Sequence, residues 1–409
     1  MPFTYRHSVL CADEVALDEI AERFGTPCFV YSAASIAACY AQFESALSGR
    51  AARICYSVKA NSNLAVLALL AKLGAGFDIV SGGELARVLA AGGEARRTLF
   101  SGVGKSAAEI RFALEKGIGC VNVESEAELE RVQAVAASLG LRAPVALRVN
   151  PDIDAKTHPY ISTGLRQTKF GVPHAHAEGL YRKAAGMRNV ELLGIGCHIG
   201  SLLLEAAPFV AAAERLLALL DRLEASGIRL AHVDVGGGIG IRYKDESPQP
   251  PEAFVRGVLA ALGQRPHTLI VDPGRSIVGN AGVLLTRVEY VKPGFLVVDA
   301  GMNDLIRPAL YGAWHEVQTV RETASGTDVY DIVGPVCESA DFLAKGRRLA
   351  ARAGELLAVM SCGAYAMAMS SNYNTRPRAP EVLVRDGRAL LVRRRESVEE
   401  LFALERAQD

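Results

Sequence analysis

The sequence predicts an α/β protein: a (β/α)8 TIM-like barrel followed by a C-terminal β-sandwich or β-barrel domain. Three observations carry this. From Arg53 to Val271, eight short β-branched or aromatic runs alternate with longer amphipathic ones. The roughly 230 residues they occupy match the span of such a barrel. After residue 280 the texture changes to strands separated by Gly- and Pro-rich turns, with few helical runs.

Arg53–Val58 reads as the first strand, and Asn63–Leu73 as the helix after it. Phe77–Val80 precedes a helix over Gly83–Ala91, and Thr98–Phe100 precedes Ala107–Lys116. Cys120–Val123 is followed by Glu126–Leu139. Val145–Val149 leads into a long polar loop around Asp152 to Phe170, then a helix near Ala175–Ala185. Leu192–Cys197 precedes Pro208–Ala225, His232–Val235 precedes Glu252–Leu262, and Leu269–Val271 is the eighth strand. The clearest helix places Phe209, Ala213, Leu216, Leu217, Leu220 and Leu223 on one face. Cys28–Tyr31 is an additional strand before the first βα unit. Val283–Val288, Phe295–Val298, Val329–Val333 and Glu381–Val384 are strands of the second domain. The domain division that follows is 1–34, a segment packing with the β domain; 35–280, the barrel; and 281–409, the β-rich domain. A doubly wound open sheet is the structural rival.

The chain has 409 residues, 50% apolar and 22% charged, which excludes a disordered chain. Lys+Arg and Asp+Glu are both 45, so the basic excess of a nucleic-acid binder is missing. Arg393-Arg394-Arg395 is followed by Glu396, Glu399 and Glu400 and reads as a solvated strand end. No secretory signal or membrane span is expected. Eight cysteines, none at CxxC spacing, read as reduced thiols of a cytoplasmic protein, mostly small buried fillers.

Three motifs fail on inspection. Gly102-Val103-Gly104-Lys105-Ser106 ends like a phosphate-binding P-loop, but Leu99 stands where its first glycine belongs. Gly236-Gly237-Gly238-Ile239-Gly240 lacks the last glycine of a dinucleotide fingerprint and follows the seventh strand, not the first. His174-Ala175-His176 lacks the spacing of a helical zinc pair and reads as a surface loop.

Polar residues cluster at the predicted strand ends: Lys59, Asp78, Arg148, Asn150, His198 and Asp272-Pro273-Gly274-Arg275. In a (β/α)8 barrel these ends converge on one mouth, where active sites form. Lys59 follows an apolar strand, where burial disfavours its charge and leaves a free amine suited to Schiff-base chemistry. The alternative is a lysine snorkelling to the rim. The triglycine at 236–238 is either an anion-binding nest or a tight turn. A neutralisable lysine with a phosphate nest points to pyridoxal 5'-phosphate. Asp272 then supplies a carboxylate for the pyridinium nitrogen. His198 is either a ring-stacking residue or a satisfied core histidine. Arg275 and Arg307, with Glu338, suit a zwitterionic substrate bearing an extra carboxylate, against a surface ion pair for Arg307.

Several blocks together resemble the diaminopimelate decarboxylase family of alanine-racemase-like, fold-type III pyridoxal-phosphate enzymes. They are Tyr56–Asn61, Phe77–Glu84, His198–Ser201, Asp299–Pro308, Cys337–Asp341 and Ser370–Arg376, in order over nearly the whole chain. The resemblance implies a head-to-tail homodimer with shared sites that removes CO2 from meso-2,6-diaminopimelate to give L-lysine. It implies that Lys59 carries the cofactor covalently, with Asp78 in the cofactor pocket and His198 stacked on the ring. Ser201 and Gly236, Gly237 and Gly238 would bind the phosphate, with Gly274, Arg275 and Tyr365 completing the pocket. Arg275, Arg307, Tyr311, Glu338 and Tyr365 would contact substrate. Cys337 would donate a proton and come, with Glu338, from the partner subunit. Asp272 stands where the family usually has Glu, and Leu202 where a polar or small residue is commoner. Rivals are a decarboxylase for ornithine, arginine or carboxynorspermidine, a pyridoxal-phosphate racemase, and a non-enzymatic carrier or scaffold.

Overall fold

A computed structural model describes residues 2–153, 169–323 and 328–407. The chain forms two compact units. One comprises residues 39–241 and 247–276, and the other residues 1–38, 242–246 and 277–409. Most of the long polar loop expected after the fifth strand falls outside the described residues.

In the first unit eight parallel strands close on themselves. They are Ala52–Ser57, Gly76–Ile79, Thr98–Phe100, Cys120–Val123, Ala143–Asn150, Val190–Gly196, His232–Asp234 and Thr268–Val271, called the first to eighth barrel strands. Each pairs in parallel with the next, and the eighth pairs with the first through Leu269–Ala52 and Val271–Ile54. That closure excludes the doubly wound alternative. Cys55, Leu99, Cys120, Ala146 and Ile270 form one buried cluster from five strands. Small residues suffice there, and burial pushes the Cys55 and Cys120 thiols well up, so these cysteines act as apolar fillers.

The helices start where the sequence supplies an acceptor for their first N–H groups. Asn63 caps Leu64–Lys72, and Ser81 caps Gly82–Ala90. Ser106 with Glu109 makes a capping box before Ala107–Glu115, and Ser125 caps Glu126–Leu139. Each such cap contributes about 1 kcal/mol. Helix Ala207–Ala225 buries the predicted stripe, and Phe209 meets Phe254 edge to face at 4.4 Å between ring centres. Burying a side chain of that size stabilises by about 1.5–3 kcal/mol. His174 and His176 open the helix His174–Ala185 rather than lying in a loop.

The P-loop lookalike has a structural explanation. Lys105 turns inward, fully buried, and its Nζ lies 2.5 Å from Glu128 Oε1. It also donates to the carbonyls of Gly102 (2.6 Å) and Asn122 (2.7 Å). All three ammonium protons are thereby spent on the protein itself.

His232 on the seventh strand lies across Gly194 on the sixth, where a Cβ would come within 2.0 Å of the imidazole Nε2. Burial, helped by the Arg53 charge, pushes His232 down to about 4. An unfolded histidine titrates near 6.5, so between these values the unfolded chain binds a proton that the fold refuses. The contribution is complete above about pH 6.5 and is lost as pH falls towards 4, on the order of 3 kcal/mol in all. Urea midpoints measured across that window should fall for the wild type and flatten in His232→Gln. An equal slope in both would show that another group dominates.

In the second unit, strands Phe342–Arg348, Val329–Val333, Phe295–Val298, Gly282–Lys292, Cys28–Ser32, Glu381–Arg385 and Arg388–Arg393 lie in that spatial order. Cys28–Ser32 does not join the barrel. It pairs antiparallel with Gly282–Lys292 and parallel with Glu381–Arg385. Val317–Thr319 and Leu356–Val359 extend the sheet from Gly282–Lys292. A three-stranded sheet of Phe3–Arg6, Val9–Ala12 and Val15–Ala16 and the helix Leu17–Phe24 pack into the same core through Leu10, Leu17 and Ile20. Among the described residues no helix is long and apolar enough to cross a membrane.

Candidate active site

The C-terminal ends of the barrel strands open into a cavity of about 180 Å³. Lys59, Asp78, His198 and Asp272 all line it. Lys59 sits on the single 3-10 turn Val58–Ala60 that ends the first strand. Its surroundings are not the apolar ones expected from the sequence. The side chain is one-third exposed, and Nζ lies 3.1 Å from Oδ2 of the buried Asp78. The physical reason is that the second strand turns its one acidic residue towards the first. Asp78 Oδ1 accepts from Ser101 Oγ at 2.5 Å, and Ser101 Oγ accepts from Asn122 Nδ2 at 3.1 Å. A chain of hydrogen bonds across four strands thus fixes the carboxylate that faces the lysine.

Asp272 follows the eighth strand and is 7% exposed. Its Oδ1 finds no hydrogen-bond donor among the described residues and stands 3.7 Å from His198 Nδ1. A buried carboxylate oxygen left without a donor is costly and marks a place where a cationic N–H of a bound group fits. Beside it, Asp234 at the end of the seventh strand lines the same cavity and accepts from the Gly236 N–H at 2.9 Å. Burial, with the Asp272 charge adding to it, raises Asp234 well above the usual carboxylate range.

The triglycine cannot be replaced without moving backbone. A Cβ at Gly236 would lie 2.7 Å from the Cys197 carbonyl, at Gly237 2.3 Å from that of Asp272, and at Gly238 2.0 Å from that of Gly200. Gly236 and Gly238 also have φ of 77° and 94°. The Leu203 N–H donates to the Gly238 carbonyl, tying together the loops after the sixth and seventh strands. Leu202 takes a left-handed φ of 64°, unusual for a branched side chain. Arg275, buried, donates from Nη2 to Ser201 Oγ at 3.2 Å. Gly274 packs against Ser57 and Ala60, 2.9 and 3.0 Å from where its Cβ would stand.

The remaining predicted residues belong to the other unit. Arg307 opens the short helix Arg307–Tyr311 and is buried, so the surface-ion-pair alternative does not hold. Cys337 is the exposed cysteine of the eight, and its N–H donates to Asn374 Oδ1 at 3.1 Å. Glu338 Oε1 accepts from Tyr373 Oη at 2.6 Å. Tyr365 is half-buried with a left-handed φ of 54°.

Sequence reasoning passed over Ser101, Asn122 and Asp234, and gave Arg148 no role. All four line the cavity, and Arg148 Nη1 pairs with the buried Glu124 at 3.2 Å. The available signal was a polar residue inside an apolar strand, as in Cys120-Val121-Asn122-Val123 and His232-Val233-Asp234-Val235.

Residues 33–279 match the pyridoxal-binding domain of pyridoxal-dependent decarboxylases. The chain is 58% identical over 405 residues to a diaminopimelate decarboxylase of Pseudomonas aeruginosa, covering 98% of each chain. Among solved structures it is similar to diaminopimelate decarboxylase from Helicobacter pylori complexed with L-lysine, at 42% identity and a TM-score of 0.93, over 95% of this chain and 99% of that one. It is also similar to the enzyme from M. jannaschii in complex with L-lysine, at 35% identity and a TM-score of 0.94, over 99% and 98%.

Proposed function

The chain belongs to the diaminopimelate decarboxylase family of pyridoxal-dependent decarboxylases, and from that premise we propose that it converts meso-2,6-diaminopimelate to L-lysine and CO2. The observation that carries the reading is the primary amine of Lys59 sharing one cavity with a buried carboxylate, Asp272, whose Oδ1 has no donor among the described residues.

The side chains present fit pyridoxal 5'-phosphate. Lys59 would hold it covalently, with Asp78 keeping the lysine in place. Asp272 Oδ1 would accept from the ring nitrogen, and His198 would lie against the ring. Gly236, Gly237, Gly238 and Ser201 would take the phosphate, with Gly274, Arg275 and Tyr365 beside it. When bound, this cofactor supplies an electron sink for the bonding pair that carbon dioxide leaves behind.

The chain's own residues do the rest. Arg275 and Arg307, with Tyr311, Glu338 and Tyr365, grip the far carboxylate and amine of the substrate. That grip holds the far end of the substrate in the site, a contact made equally before and during bond breaking. Ser201 holds the Arg275 fork, so the clamp is set before substrate arrives. Cys337 returns a proton to the substrate carbon. In a head-to-tail homodimer, Cys337 and Glu338 serve the cavity of the second copy. Such an enzyme acts on a small amino acid in the cytoplasm.

Purified protein loaded with cofactor and offered candidate amino acids should release CO2 and L-lysine from meso-diaminopimelate. Release from ornithine with none from meso-diaminopimelate would overturn the substrate. For the dimer, Lys59→Ala and Cys337→Ala subunits, each inactive alone, should regain roughly a quarter of wild-type activity after exchange, because half the dimers are mixed and each holds one whole site. Proven exchange without recovery would place Cys337 in its own subunit's site.

A further inference from the structure

Arg307 is buried, and its guanidinium meets His315 and Tyr243. Nη1 lies 2.6 Å from His315 Nε2, and the guanidinium carbon sits 4.4 Å above the Tyr243 ring. The Tyr243 and His315 rings meet edge to face, 5.3 Å between centres. His315 is itself fully buried.

Donor and acceptor chemistry fixes the state of this imidazole. Its Nδ1 lies 2.8 Å from the Met360 carbonyl oxygen, which can only accept, so Nδ1 carries the proton. Arginine can only donate, so Nε2 must present a lone pair to Nη1. A protonated His315 would set two donors against each other at 2.6 Å. The Cys362 thiol, 3.7 Å from Nδ1, completes the pocket, and burial pushes that thiol up to about 12, so it adds no charge. Neutral His315 is therefore a built acceptor that takes one of the five N–H groups of Arg307, and the Tyr243 face restrains the guanidinium plane.

We propose that His315 is a positioning residue for the reaction proposed above: its Nδ1-protonated imidazole aims Arg307 at the substrate carboxylate. This rests on the reading of Arg307 as a substrate-binding residue. The contact with substrate carboxylate is the same before and during bond breaking, so its misalignment weakens KM more than kcat.

Three variants decide the matter, each assayed for KM and kcat on meso-diaminopimelate, cofactor content and thermal midpoint. Gln places its amide oxygen where Nε2 stands, so His315→Gln should keep KM within about threefold of wild type. Asn does not reach that point, so His315→Asn should raise KM on the order of 10-fold or more, with kcat within about threefold and cofactor content unchanged. Arg307→Lys tests the underlying reading. An unchanged KM there overturns Arg307 as a substrate residue. A raised KM in Arg307→Lys with an unchanged KM in His315→Asn overturns the positioning role alone, as does equal damage from Gln and Asn. Should His315→Asn fail to fold, nitrogen NMR of histidine-labelled wild-type protein decides instead. A neutral His315 protonated on Nδ1 supports the proposal, and an imidazolium or an Nε2-protonated ring overturns it.

Discussion

Replacing Lys59 with arginine should lower kcat by on the order of 10³-fold or more, while the folded protein remains as stable as wild type to within about 1 kcal/mol. Arginine keeps a cation beside the buried Asp78, so the 3.1 Å ion pair has a successor and the fold is spared an uncompensated carboxylate. What arginine cannot do is form a covalent link through a free amine. Lys59→Ala should lose activity and stability together, because it strands Asp78. The pair of variants thus separates the chemical role from the electrostatic one. Borohydride treatment of the loaded wild-type protein should add the cofactor's mass to the peptide containing position 59. The mark should be missing from both variants. Labelling at another lysine, or an active Lys59→Arg protein, would end the assignment of this residue.

Gly238→Ala should weaken pyridoxal 5'-phosphate binding by about 100-fold or more. The new methyl group would lie 2.0 Å from the Gly200 carbonyl, on a backbone whose φ of 94° is open to glycine and closed to alanine. Strain of this kind costs about 1–3 kcal/mol before any clash is counted. Relief requires the loops after the sixth and seventh strands to separate, breaking the Leu203–Gly238 hydrogen bond and moving the N–H groups of the proposed phosphate site. Gly104→Ala is the control, since its Cβ would meet nothing within 4 Å. Fluorescence titration with the cofactor and urea unfolding would read both. Wild-type affinity in Gly238→Ala would remove the triglycine from the phosphate site.

The barrel was legible because its strands are buried on both sides. Such strands read as continuous apolar runs, and each of the first seven is followed by a helix with its own amphipathic stripe and often a Ser or Asn start signal. The first three strands of the chain gave no such signal. They are two to four residues long, and their turns use His7, Ser8 and Asp13 at positive φ instead of glycine. Phe342–Arg348 was hidden for another reason: Lys345, Arg347 and Arg348 interrupt any alternation. At the site, the residues visible from sequence were those at strand ends, where polarity breaks an apolar run. Asn122 and Asp234 lie within strands, and only closure of the ring turns them to the same mouth as Lys59. The surroundings of Lys59 were misjudged because its ion-pair partner comes from a different strand. No spacing rule connects residues 59 and 78.

The strand Cys28–Ser32 has its two hydrogen-bonding neighbours at Gly282–Lys292 and Glu381–Arg385. A ribosome adds about 5–20 residues per second, so this apolar segment leaves the exit tunnel long before either neighbour exists, a wait of roughly 20–70 s for the later one. During translation it is a sticky ribbon with both edges bare, the kind of segment that pairs with the wrong chain. Yield in a cell should therefore respond to chaperone supply more sharply than stability measured in a tube.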